Sequence, residues 1–124
     1  MKKIKILFVE DEAIVALFLK VQLEKRGYLV TGHVVTGEQA IQSVQVSEPD
    51  IILMDIHLAG KLDGLKTSTA IRSFSKANII VMTGYEDEEV RNAVKELSPA
   101  AILTKPVSIN EITEIIEKNF KYLA

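Results

Sequence analysis

Four positions along this chain place a charged or hydroxyl side chain at the end of a short apolar run. Ile4–Val9 leads into Glu10 and Asp11, Ile51–Met54 into Asp55, Ile79–Met82 into Thr83, and Ala101–Thr104 into Lys105 and Pro106. If these runs are strands of one open parallel sheet, their carboxyl ends share an edge, and such sheets bind ligands there. Three carboxylates, a hydroxyl and an ammonium then meet. Crowded carboxylates repel, and without a counter-charge at least one of their pKa values rises. A hard divalent cation (Mg²⁺ or Mn²⁺) relieves that repulsion through oxygen ligands. Asp55 can then act as a nucleophile toward phosphorus, as aspartates do when they form aspartyl-phosphate. Lys105 would neutralise charge on the phosphoryl oxygens and Thr83 would donate a hydrogen bond to one of them. Phosphoryl transfer asks a protein for little beyond positioning and electrostatics.

The elements that must position these groups are legible in the alternation of apolar runs with amphipathic stretches. Strands are expected near 4–9, 29–34, 51–55, 79–83 and 100–104, and helices near 12–26, 37–47, 64–75, 86–97 and 108–121. Strands alternating with helices imply right-handed βαβ crossovers and a parallel sheet covered on both faces. The expected fold is therefore α/β, doubly wound, with strand order 2-1-3-4-5 and its switch point between strands 1 and 3. Punctuation agrees with this division. Gly27 sits where a glycine would stop the first helix, and Thr36–Gln39 and Ser108–Glu111 fit the capping-box pattern. Glu86, Asp87, Glu88 and Glu89 crowd a helix start, where the macrodipole favours negative charge. In the last helix Ile109, Ile112, Ile116, Phe120 and Leu123 recur at helical spacing, giving one face to lay on the sheet.

The chain has 124 residues, 48% hydrophobic and 26% charged, which suits a single globular domain over residues 1–124. Net charge is −2 with Lys and Arg scattered, so no basic stripe speaks for direct nucleic-acid binding. Cysteine is absent, excluding a disulfide framework, a thiolate zinc site and a thiol nucleophile. The apolar stretch after Lys2-Lys3 stops at Glu10, too short for a signal peptide. The longest apolar run, Ala13–Leu19, is far short of a membrane span. A cytoplasmic location is expected.

In this order, Ile6–Glu12, Ile52–Asp55, Val81–Gly84 and Leu103–Pro106 resemble the receiver domains of two-component response regulators, and the resemblance runs along the whole chain. It implies a flavodoxin-like fold in which Asp55 accepts a phosphoryl group from the phosphohistidine of a sensor histidine kinase or phosphotransfer protein. Asp11, Asp55 and the backbone carbonyl of His57 would bind Mg²⁺ directly, and Glu10 through metal-bound water. Thr83 and Lys105 would contact the phosphoryl oxygens, with Thr83 shifting toward them on activation. The bond to Pro106 would be cis. Such a protein is no enzyme in the usual sense, catalysing only its own phosphorylation and slow dephosphorylation.

The chain departs from the family pattern in three places. Ala59 replaces the usual proline, and Asp63-Gly64 come one residue late, lengthening the 58–62 loop. Ile102 stands where an aromatic usually swings inward with the threonine, and isoleucine is stiff at χ1. His57 and Tyr85 hold positions that in this family set how easily water reaches the phosphoryl group. A solvated loop histidine is the plainer alternative for His57, and His33 reads as structural.

Ala13–Leu19 is apolar at seven consecutive positions, wider than an amphipathic helix needs. Some of Ile14, Val15, Phe18 and Leu19 must face away from the sheet, offering a docking surface for a kinase or phosphotransfer helix bundle beside the acidic edge. A homodimer is a further possibility. Enzymes of related fold fit poorly. A flavodoxin needs a hydroxyl-rich phosphate loop where Glu10-Asp11-Glu12 stands, and a dinucleotide enzyme needs Gly-x-Gly-x-x-Gly. A haloacid-dehalogenase-type phosphatase puts its nucleophile on the first strand, with a second Asp where this chain has His57. A non-phosphorylated pseudo-receiver conflicts with the intact acidic set. A free-standing regulator and a receiver belonging to a larger regulator or hybrid kinase both remain open.

Overall fold

Strands form on the short apolar runs and helices on the longer stretches between them. The computed structural model describes residues 3–58, 63–84 and 88–120. The elements alternate as β1 (Lys5–Val9), α1 (Ala13–Lys25), β2 (Leu29–Val34), α2 (Gly37–Ser47), β3 (Ile51–Asp55), α3 (Gly64–Arg72), β4 (Asn78–Thr83), α4 (Glu88–Lys95), β5 (Ala101–Thr104) and α5 (Ile109–Phe120). All strand pairs are parallel and the sheet order is β2-β1-β3-β4-β5. This is the flavodoxin-like arrangement expected from the sequence.

Period-2 alternation divides the sheet residues between two cores. Ile6, Phe8, Ile51, Leu53, Ile80 and Met82 face Leu19 and Leu23 of α1 and Ile112 and Ile116 of α5. Leu7, Val9, Ile52, Met54, Ile79 and Val81 face Ala40 and Val44 of α2, Ile71 of α3 and Val94 of α4. Every residue of β3 is buried, which explains why that strand is a continuous apolar run with no alternation. Of the face expected on α5, Ile112 and Ile116 are buried and Ile109 packs beside them. The side chains of Phe120 and Leu123 lie outside the described part, as do Glu86 and Asp87.

The helix boundaries follow their caps. At the end of α1, Gly27 has φ +93°. Its N–H donates to Glu24 O and that of Tyr28 to Leu23 O, the paired bonds of a Schellman motif. Thr36 and Gln39 close a reciprocal capping box, and Ser108 and Glu111 do the same, each backbone N–H meeting the other's side chain at 3.1 Å. Two helices are shorter than expected. α3 stops at Arg72, where Ser73 N–H turns back to Ala70 O, and α4 stops at Lys95, where Ser98 adopts φ +50°. Tightened i→i+3 bonds satisfy the last carbonyls in both cases.

One contact fixes α3 against the sheet. Gly64 N–H donates to Ile56 O at 3.0 Å, bringing the first residue of α3 directly onto the backbone at the end of β3. A Cβ at position 64 would collide with the Asp55 carbonyl oxygen and lie 2.6 Å from Ile56 Cα. Backbone cannot rotate aside as a side chain can, so only glycine fits. Gly64→Ala is expected to destabilise the protein by about 3 kcal/mol, toward the upper end of overpacking costs. Urea unfolding measures this, and a wild-type midpoint would mean that α3 can slide away without penalty.

Candidate functional site

The register carries the sequence-predicted residues to one edge. Val9 pairs with Met54, so the next residues, Glu10 and Asp55, emerge side by side. Thr83 pairs with Thr104, so Lys105 follows immediately, and its N–H donates to Thr83 O at 2.8 Å. Glu10, Asp55 and Thr83 are each about 1% exposed. Asp11 and His57 lie at the rim, lining with Glu12, Asp55, Gly84 and Lys105 a cleft of about 350 Å³.

Lys105 is the centre of the cluster. Its Nζ donates to Asp55 Oδ2 at 2.9 Å and lies 3.2 Å from Glu10 Oε2. Glu12, which sequence reasoning left without a role, stands 3.9 Å from the same ammonium. Asp55 Oδ1 accepts from His57 N–H at 3.0 Å, so both oxygens of this carboxylate are directed. Glu10 Oε1 accepts the Glu12 N–H at 3.1 Å, while the buried Oε2 has the Lys105 ion pair but no well-directed hydrogen bond.

Burial acts unevenly on these groups. Desolvation, with the Asp55 charge beside it, pushes the Glu10 carboxyl from its ordinary 4.5 up to about 7, against the Glu12 N–H and Lys105. Burial draws the Lys105 ammonium down, but its hydrogen bond and charge contact with Asp55, and the Glu10 charge, outweigh that and raise it. At Glu10, burial and the Asp55 charge therefore outweigh the lowering effect of the Glu12 N–H and the one lysine.

The residues present suit a divalent cation. Glu10, Asp11 and Asp55 each offer one carboxylate oxygen, and these oxygens all lie within 4.8 Å of one another. An all-oxygen set of this kind is the donor chemistry that Mg²⁺ takes.

The Lys105–Pro106 bond is cis. Ile102 is half-buried and packs on the core shared with Val81 and Val94. Tyr85, Ala59 and the added loop residue lie outside the described residues. His33, read from sequence as structural, has its Nε2 2.6 Å from the Glu10 carbonyl oxygen. Gly64 was visible only as a displaced Asp-Gly pair; nothing in the sequence showed that it touches the Asp55 backbone. On α1, Ala16, Leu19 and Leu23 are buried, whereas Ile14 is 84%, Phe18 60% and Val15 38% exposed. Leu17, not singled out from sequence, is 62% exposed. Ile14, Val15, Phe18, Pro106 and Val107 line an apolar groove of about 580 Å³ that reaches Glu10 and Lys105. Among the described residues no helix is long and apolar enough to cross a membrane.

The raised Glu10 pKa makes a prediction for protein kept free of divalent cations. Glu10 takes up a proton on folding between about 4.5 and about 7, so its contribution to stability is greatest below this window and falls as pH rises through it. Lys105 is charged in folded and unfolded states throughout this window, so it contributes no slope. The thermal midpoint of the wild type should fall across the window, and Glu10→Gln should flatten that fall. Equal slopes would show that Glu10 is not the titrating group.

Residues 6–117 match the family model of the response regulator receiver domain. Over 113 residues the chain is 28% identical to the transcriptional regulatory protein PdtaR of Mycobacterium tuberculosis, a match covering 91% of this chain and 55% of that protein. The chain thus spans about half the length of the curated relatives it matches. Among solved structures, the signal receiver domain of a modulated diguanylate cyclase from Desulfovibrio desulfuricans is similar at a TM-score of 0.89 and 34% identity, covering 98% of this chain and 96% of that one. The N-terminal domain of a response regulator/sensory box/GGDEF protein from Carboxydothermus hydrogenoformans is similar at 0.80 and 30%, covering 96% and 95%. With the acidic edge and Lys105 both inside the matched span, the chain belongs to the family of response regulator receiver domains.

Proposed function

We propose that this receiver takes a phosphoryl group onto Asp55 from a phosphohistidine of a sensor histidine kinase or phosphotransfer protein, in a reaction that requires Mg²⁺ or Mn²⁺. The observation that carries this reading is the Lys105 ammonium set between Asp55 and Glu10 at the sheet edge. An Asp55 oxygen attacks phosphorus, the phosphorus–nitrogen bond breaks, and the electron pair returns to the imidazole of the donor. The product is an acyl phosphate. Lys105 is placed to follow the charge from the carboxylate to the phosphoryl oxygens, and Thr83 to donate a hydrogen bond to one of them. Asp11, Asp55 and the His57 carbonyl would hold the cation, with Glu10 acting through its water; the cation supplies charge neutralisation between carboxylate and phosphate.

In this role the protein turns over no external substrate beyond the donor. Water later cleaves the acyl phosphate, with His57 at the mouth of the cleft governing its approach. Signalling in the cytoplasm, through a surface biased by phosphorylation, is the output this chemistry serves. The partner is expected on the α1 groove, since a helix seated on Ile14, Val15 and Phe18 would bring its phosphohistidine beside Lys105.

Incubation with acetyl phosphate and Mg²⁺ followed by intact mass should show one added phosphoryl group, absent in Asp55→Asn; an unmodified wild type would refute the reading. His57→Ala should change the decay rate of the phosphorylated form, and an unchanged rate would remove that role. Val15→Glu should slow transfer from the cognate kinase by about tenfold or more, because the interface would bury an unpaired carboxylate. It should leave acetyl phosphate labelling intact.

A further inference from the structure

The strand at the outer edge of the sheet contributes a side chain that the phosphoryl chemistry leaves unused. His33 stands on β2 opposite Phe8 of β1, and its Nε2 lies 2.6 Å from the Glu10 carbonyl oxygen. A carbonyl only accepts, so Nε2 must carry the proton and donate it. The Glu10 N–H donates to Val34 O at 3.0 Å. Consecutive residues of β2 therefore hold both main-chain polar groups of Glu10, one through backbone and one through an imidazole.

The imidazole is needed because the ladder runs out of donors. The next N–H groups along this edge belong to Val35 and Thr36, and both point to Gln39 Oε1, at 3.0 and 3.3 Å. The capping box of α2 thus consumes the groups that would have extended the pairing to Glu10. His33 substitutes for them.

The carbonyl concerned belongs to the peptide plane joining Glu10 to Asp11. Asp11 is exposed, and no hydrogen bond ties its carboxylate among the described residues. Glu12, which follows as the N-cap of α1, makes no side-chain cap. The direction in which the Asp11 carboxylate leaves the sheet is set by the two peptide planes that flank it, one held by His33 and the other by the Glu12 N–H on Glu10 Oε1. We infer that His33 is a positioning residue, holding the Glu10–Asp11 peptide so that two successive acids converge with Asp55 on one cation. The inference rests on the cation reading of the site.

Two measurements test it. Nitrogen-15 spectra of the imidazole should place the proton on Nε2, and a neutral ring protonated on Nδ1 would overturn the contact itself. Mg²⁺ titration followed by amide shifts of Asp11 and Glu12 should show binding weakened about three- to tenfold in His33→Leu, the span of one net hydrogen bond. His33→Gln, whose side-chain N–H can reach the same carbonyl, should recover most of that loss. Should His33→Leu not fold, His33→Asn, too short to reach, takes its place. Wild-type affinity in the folded variant, or equal loss in His33→Gln, would overturn the assignment. A wild type that itself takes up no Mg²⁺ would instead refute the cation reading, and this inference would fall with it.

Discussion

Everything at the functional edge depends on one electrostatic constraint, that carboxylates gathered from different strands must share too little positive charge. The Lys105 ammonium lies 2.9 Å from Asp55 and 3.2 Å from Glu10, and it holds acids together that would otherwise repel. It does not neutralise them completely. Burial first, and the Asp55 charge beside it, push the Glu10 pKa up to about 7 in spite of that ammonium. On the proposed reading, such a site takes a cation and an anionic phosphoryl group together, because the two bring compensating charge.

The fold supplies the convergence at small conformational cost. Parallel register puts Glu10, Asp55, Thr83 and Lys105 near one another at the strand ends, and the two cores beneath them clamp the strands from both faces. Close packing then holds individual groups. Gly64 admits α3 onto the Asp55 backbone, and the His57 N–H directs Asp55 Oδ1. Beside this rigid edge the outer face of α1 stays apolar and open, with Ile14 and Phe18 mostly exposed. The acidic edge and the open apolar face thus adjoin, one built from strand ends and the other from a single helix.

Much of this was legible in the residues themselves. Asp55 and Lys105 could be placed because each closes an apolar run, and strand ends in a parallel sheet share an edge. Capping boxes at Thr36 and Ser108 fixed two helix starts, because their chemistry is local. What escaped was chemistry that depends on how distant backbone segments approach. Gly64 was legible as a displaced Asp-Gly pair at a helix start, but its closeness to Asp55 arises from the path of a connection rather than from any pattern. His33 looked structural because its partner is a main-chain carbonyl, which carries no residue-type signature. The width of the apolar run on α1 implied an exposed face, but only packing could assign Leu19 to the core and Leu17 to the surface. Ile102 illustrates the converse. The sequence showed that the usual aromatic is missing, and the structure seats isoleucine on the core shared with α4.

The account stands on incomplete charge compensation at the sheet edge, and metal linkage tests that most directly. Thermal midpoints should be followed against Mg²⁺ concentration at constant ionic strength, above about pH 7 where Glu10 is ionised. A ligand that binds only the folded state stabilises it by mass action. The midpoint should rise with Mg²⁺ and keep rising logarithmically once the site is filled, with no rise for K⁺ and little for Asp11→Asn. A midpoint indifferent to Mg²⁺, or one that K⁺ raises equally, would contradict the account.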